Sequence, residues 1–275
     1  MFEIFTSPDA WMALFTLTFL EIILGIDNII FITIAAGKLD PKDRKKATNL
    51  GLLLAMGMRI ILLFGITWLV SLKKPFWVID ESWIHGAISW QALILFLGGL
   101  FLLYKSTKEI HEKVEDRGHD EREVKKARST SLTNAIIQIT VINIVFSFDS
   151  ILTAIGMTNG ISPNPNDALI LMIIAVIASV VIMLVFANPV GEFVNRHPSI
   201  QVLGLSFLIL IGFMLIAEAA HLSHLVVFEN EVGAIPKGYL YFAIAFSLLV
   251  EFLDMRMSRN KKRNEAAANG PEEEA

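Results

Sequence analysis

The chain has 275 residues, 54% of them hydrophobic and 18% charged, with a net charge of −4 and a mean hydropathy of +0.59. Uncharged apolar stretches as long as 168–188 exclude an ordinary soluble domain, because helices of about 18–25 such residues cross a bilayer core of roughly 30 Å. Cysteine is absent, which excludes disulfides, thiolate metal sites and cysteine nucleophiles, and the first basic residue, Lys38, comes too late for the basic start of a cleavable signal peptide.

In chain order the pattern predicts an all-α polytopic membrane protein with about seven transmembrane helices, at 9–36, 47–72, 90–104, 132–157, 168–188, 200–221 and 238–254. Trp11, Trp68, Trp77, Trp83, Trp90 and Tyr104 fall near the ends of these spans, as interfacial aromatics do. A transmembrane domain over 1–256 is thus expected. Residues 105–130 form a charged cytoplasmic loop, read as a helical extension of the third span, and 257–275 a disordered polar tail. Nineteen of the 23 Lys and Arg residues lie on one side of these spans, against Lys73, Lys74 and Lys237 on the other. By the positive-inside rule the N-terminus is outside and the C-terminus cytoplasmic. Because topology accounts for the basic residues, no nucleic-acid partner is expected. With no catalytic triad or phosphate-cradling loop, neither is an enzyme.

Two polar stretches interrupt the hydrocarbon. "EIILGIDNII" starts at Glu21 and "NIVFSFDSIL" at Asn143, and they align without gaps, so that Asp27 meets Asp149 and Asn28 meets Ser150. A fainter echo relates "GGLFLLYK" at 98–105 to "IGFMLIAE" at 211–218. Spans one to three (9–104) and four to six (132–221) therefore read as two inverted three-helix repeats, with the helix at 238–254 as an extra. Many secondary transporters build one midplane site in this way. At 1.5 Å per residue, Asp27 and Asp149 each lie roughly 12–14 Å from a membrane surface.

An ionised carboxylate at mid-bilayer costs at least ~2.5 kcal/mol, so Glu21, Asp27 and Asp149 need partners or a function. Arg59, in span two, is a partner at similar depth. Three acids against one arginine leave the charge that a divalent cation neutralises. Carboxylate, amide and hydroxyl oxygens suit hard ions such as Mg²⁺, Ca²⁺ or Mn²⁺. The candidate metal ligands are Asp27, Asp149, Glu21, Asn28, Asn143 and Ser150, with Arg59 and Glu21 balancing charge or carrying a coupled proton. On straight helices the aspartates lie about 100° round from Glu21, Asn28, Asn143 and Ser150, so a local break at Gly25 or Ser147 is expected to bring them together. The competing reading makes the polar groups interhelical glue.

Other polar groups point to less. Glu218, His221, His224, Glu229 and Glu231 read as a solvated external helix end, with metal capture as the alternative. Lys105 and Glu109 are spaced for a salt bridge worth a few tenths of a kcal/mol. Residues 73–89, with Asp80, Glu81 and His85, read as a surface segment, and Glu251 and Asp254 lie near the cytoplasmic surface.

"LEIILGIDNIIF", "NIVFSFDSILTAIGM", "LGGLFLLYKSTKEIHE" and "FSLLVEFLDMR" together resemble the signature stretches of the TerC family, in order and across the membrane region up to about Arg256. The chain is most similar to the stand-alone branch, within the LysE-like transporters of three-plus-three helices. The resemblance implies a bacterial inner-membrane protein that exports a divalent cation, most readily Mn²⁺, with no permanently bound cofactor and with protons as a candidate coupling ion. Position by position it implies Glu21, Asp27 and Asp149 as the motif acids, with Asn28 and Ser150 beside them. Asn143 departs from the family, which commonly has aspartate there. Two alternatives stand beside export: a membrane interaction protein that aids metallation of exported proteins or resistance to metal and tellurite stress, and a LysE-like exporter of organic solutes. Partners beyond lipid and cation, and the oligomeric state, are open at this level.

Overall fold

The computed structural model describes residues 3–37, 39–115, 132–158, 161 and 165–268; within these, the side chains of 3, 4, 24, 26–28, 41, 66, 67, 132, 149, 165, 259 and 261–268 lie outside the described set. Contacts divide the chain into a unit up to Ala234 and a second unit from Ile235.

Among the described residues, the first unit contains a short 3-10 helix at Glu3–Thr6 and seven α-helices. The seven are α1 (Pro8–Gly37), α2 (Pro41–Phe64), α3 (Ile66–Ser71), α4 (Trp90–Glu115), α5 (Leu132–Thr158), α6 (Pro165–Arg196) and α7 (Pro198–Leu222). In the second unit the described residues form one helix, α8 (Lys237–Ala268). Among the described residues, six helical stretches are long and apolar enough to cross a membrane, one each in α2, α4, α5, α6, α7 and α8. They coincide with six of the seven expected spans. The first, 9–36, falls on α1, a helix of 30 residues in which residues 24 and 26–28 have side chains outside the described set.

Several boundaries differ from the sequence reading. The span expected at 47–72 is interrupted at Gly65, which ends α2 and starts α3; its N–H is donated to Ile61 O at 3.0 Å. α6 runs through Pro189 to Arg196 where a loop was expected, and only His197 separates it from α7. In α4 the helix extends to Glu115, as read for the start of the charged loop, whereas 116–130 lie outside the described residues. The disordered tail expected from 257 is corrected as far as Ala268. α8 continues there because "MSRNKKRNEAAA" is built of Arg, Lys, Glu and Ala, good helix formers, with no Gly or Pro until Gly270. Residues 269–275 lie outside the described set.

Helix packing in the first unit joins α4 to α7, α1 to α6, and α2 to both α5 and α6, while α5 also touches α1 and α4. Small residues make the close approaches. α4 presents a buried stripe of Gln91, Ala92, Leu95, Gly98, Gly99, Leu102, Ser106 and Glu109, the 3.6-residue spacing of one helix face. There Gly99 faces Gly212 of α7: a Cβ on Gly99 would lie 2.7 Å from Gly212 O, and one on Gly212 3.0 Å from Gly99 O. Helices in lipid gain little from hydrophobic exclusion, so such backbone proximity and dispersion contact hold them together.

The long elements are all helical, as expected, and one small sheet accompanies them. Residues 73–89 fold as β1 (Pro75–Glu81) and β2 (Ile84–Ser89), and the chain after α7 adds β3 (Val226–Val227) and β4 (Asn230–Glu231). These form one antiparallel sheet in the order β1-β2-β3-β4. "FWVI" and "IHGAIS" carry the β-branched and aromatic residues that suit strands, but short strands beside long helices are hard to see in hydropathy. The β3–β4 turn hides further, because Phe228 and Glu229 adopt φ of 48° and 65° where Asn-Gly would advertise such a turn.

Candidate functional site

The polar residues of α1, α2 and α5 meet around Arg59. Its guanidinium forms an ion pair with Glu21 of α1 and donates from Nη2 to Ser150 Oγ of α5 at 3.0 Å. All three are buried, with 5–6% of Arg59 and Glu21 exposed and 4% of Ser150. One arginine thus ties three helices together at a depth where an unpaired charge costs several kcal/mol. Ser150 in turn donates to Ser147 O at 3.2 Å.

Beside this cluster lies a cavity of about 10 Å³, room for a single water-sized occupant. Arg59, Asn143 and Ser147 provide its polar wall, and Met56, Val180 and Met183 its apolar one. Asn143 donates its amide N–H to Ile139 O at 2.9 Å, within its own helix. Ser147 donates to Asn143 O at 2.6 Å.

The break expected at Gly25 or Ser147 does not form: α1 and α5 are continuous through both. Each small residue has another use. Gly25 is where α1 meets α6, since a Cβ there would collide with Met183 Sδ. The Ser147 hydroxyl bonds back to Asn143 O of its own helix, which stays continuous there.

Of the sequence candidates, the structure brings together Glu21, Arg59 and Ser150, with Asn143 at the neighbouring cavity. The side chains of Asp27, Asn28 and Asp149 lie outside the described residues; their backbone positions are on α1 and α5, which pack against one another. Among the described residues, no three His, Asp or Glu side chains converge as a metal cluster. Of the remaining sequence candidates, His221 Nδ1 lies 4.0 Å from Glu231 Oε1 and His85 Nδ1 2.6 Å from Asp80 Oδ1, each as a pair. Sequence reasoning missed Met56, Val180 and Met183, which are apolar residues in apolar helices and give no signal before the fold is known. It also undervalued Lys105 and Glu109. They pair at 2.8 Å with 3% of the Glu109 side chain and 21% of the Lys105 side chain exposed, so the acid is buried and its partner half-buried.

The chain matches the integral membrane protein TerC family over residues 6–266. It is 45% identical over 262 residues to the UPF0053 inner membrane protein YgdQ of Escherichia coli K12, covering 95% of this chain and 98% of that one. A UPF0053 protein of Haemophilus influenzae is 42% identical, with 95% of this chain and 100% of the relative covered. The E. coli inner membrane protein YoaE is 42% identical over 264 residues, which are 96% of this chain and 46% of YoaE. No solved structure matches it. Long apolar helices, a buried ion pair binding three of them, and similarity over nearly the whole length agree: this chain belongs to the integral membrane protein TerC family and is a multi-pass inner-membrane protein, as its homologues are.

Proposed function

We propose that this protein is a transporter, not an enzyme, that exports a divalent metal cation, most readily Mn²⁺, by alternating access at a midplane site between α1 and α5. The observation that carries the reading is the Arg59 cluster, in which a buried arginine satisfies Glu21 and Ser150 beside a small cavity that Arg59, Asn143 and Ser147 line on one side. In this reading Arg59 is an internal counter-charge. While the site is empty it neutralises Glu21, and an arriving cation takes over that role at Asp27 and Asp149, the main ligands. Asn28, Asn143 and Ser150 supply neutral oxygens. Glu21, once released, ligates the ion or carries the proton that moves the other way. Asn143 in place of an acid leaves one side of the site less charged than the other, which bears on ion choice.

Two inverted halves, α1–α4 and α5–α7, supply the alternation, with the N-terminus outside and the C-terminus cytoplasmic. Packing supports this reading. If α1, α2 and α4 correspond to α5, α6 and α7, then α1 on α6 is matched by α5 on α2, and α1 on α7 by α5 on α4. Gly99 and Gly212, equivalent in the sequence echo, face one another as residues beside a two-fold axis do. Mn²⁺ flux into proteoliposomes tests the proposal. D27N combined with D149N is expected to abolish flux while leaving the protein folded, and unchanged flux in that variant refutes the assignment.

A further inference from the structure

We propose that Met183 sets the ion selectivity of the midplane site: its thioether sulfur contacts the passing cation and favours a d-block divalent ion over Mg²⁺ and Ca²⁺. The inference rests on the transport reading above and names the class of substrate that this site takes.

The place of the sulfur is fixed by α1. A Cβ on Gly25 would collide with Met183 Sδ, so it is the bare backbone at Gly25 that lets the sulfur reach α1. Gly25 lies one turn after Glu21, on the same face of that helix. Met183 is 4% exposed and lines the small cavity together with Met56, Arg59, Asn143 and Ser147. Methionine fills irregular gaps in apolar cores, and packing alone accounts for one among hydrocarbon neighbours. Met183 instead stands between the Glu21 face of α1 and a cavity with three polar residues in its wall.

The correspondence of the two halves leads to the same residue. α2 opens with Pro41-Lys42-Asp43 and α6 with Pro165-Asn166-Asp167. Laid on each other from these prolines, Arg59 falls on Met183, each 18 residues past its proline. Gly25 falls on Ser147 in the alignment of the two polar stretches. Arg59 lines the cavity beside Ser147 of α5, and Met183 packs on Gly25 of α1, so the two placements are equivalent. One half thus brings a positive charge to the midplane, and the other an uncharged, polarisable donor.

That donor distinguishes ions of equal charge. Mg²⁺ and Ca²⁺ are hard and take oxygen ligands, so a thioether adds almost nothing to their binding. Softer d-block ions accept sulfur, and one sulfur among oxygens favours them. Once Glu21 leaves Arg59, its carboxylate and the sulfur bear on the same face of α1.

The absence of cysteine makes the test direct, because methionine is then the sole source of sulfur in the chain. The probe is Cd²⁺, a soft divalent ion, at one equivalent of detergent-purified protein. X-ray absorption at the cadmium edge is expected to show a sulfur neighbour that M183L loses and that M56L and M172L keep. In proteoliposomes Cd²⁺ is expected to inhibit Mn²⁺ flux, and M183L, which removes the sulfur at similar volume, to weaken that inhibition about tenfold relative to Ca²⁺. A shell of nitrogen and oxygen alone, or a sulfur neighbour that persists in M183L, overturns the proposal. Unchanged Cd²⁺ inhibition in M183L also overturns it, and leaves the transport reading standing if D27N with D149N still abolishes flux. If the unaltered protein moves no Mn²⁺, the transport reading fails and this inference with it. If M183L does not accumulate, the M56L spectrum decides: sulfur retained supports Met183 as the donor, and sulfur lost overturns it.

Discussion

Replacing Arg59 by methionine tests whether the buried ion pair organises the helices or merely fills space. Methionine keeps much of the volume of the arginine stem but removes both of its polar contacts. Glu21, 5% exposed, is left with no cationic partner. Breaking one side of a buried pair costs about 3–5 kcal/mol. At about 2–4 °C per kcal/mol for a chain of this size, the lower figure lowers the unfolding midpoint by roughly 6–12 °C. The double variant R59M/E21Q removes both charges, so most of that loss is expected to return, less about 0.5–1.5 kcal/mol for the hydrogen bond to Ser150. Midpoints from tryptophan fluorescence of the detergent-purified protein measure all three variants and complete the cycle with E21Q. If R59M melts within about 2 °C of the unaltered protein, or if the double variant is as unstable as R59M, the ion pair does not hold α1, α2 and α5 together.

Packing makes two further predictions. G99A and G212A each place a methyl group against a backbone oxygen, at 2.7 and 3.0 Å, so each is expected to cost about 1–3 kcal/mol, read as a lower melting midpoint and less protein in the membrane. G57A meets nothing within 4 Å and is expected to be neutral or to gain about 0.5–1 kcal/mol from helix propensity; equal losses at all three glycines would count against the α4–α7 contact. For the ion pairs, K105M removes a cation 2.8 Å from the buried Glu109 carboxylate and is expected to lower the midpoint more than R196M, which breaks an exposed pair with Glu192 and changes it by about 2 °C or less. Similar effects for the two variants would show that the depth of the pair along α4 is not what matters.

Much of the fold is legible in the sequence because lipid imposes a simple rule. Backbone polar groups must be satisfied within each span, so long apolar runs become helices, and their number and order can be read from hydropathy. The expense of mid-bilayer charge likewise makes Glu21 and Arg59 stand out, and similar depth in neighbouring spans points to their pairing. Continuity of individual helices was less legible. Glycine and proline do not by themselves say whether a helix stops: the helix is interrupted at Gly65, continues through Pro189, and uses Gly25 as a seat for Met183.

The sequence by itself determined that this is a multi-span membrane protein, which residues are too polar for lipid, and which family it belongs to, since each depends on local composition and order. Only the tertiary structure decided what those residues face. It set Ser150 against Arg59, placed Met183 and Val180 at the cavity, sealed Glu109 inside, and gathered two distant segments into one sheet with an open edge. These contacts join residues from tens to well over a hundred positions apart, and such proximity arises from how the helices pack, which no local pattern encodes.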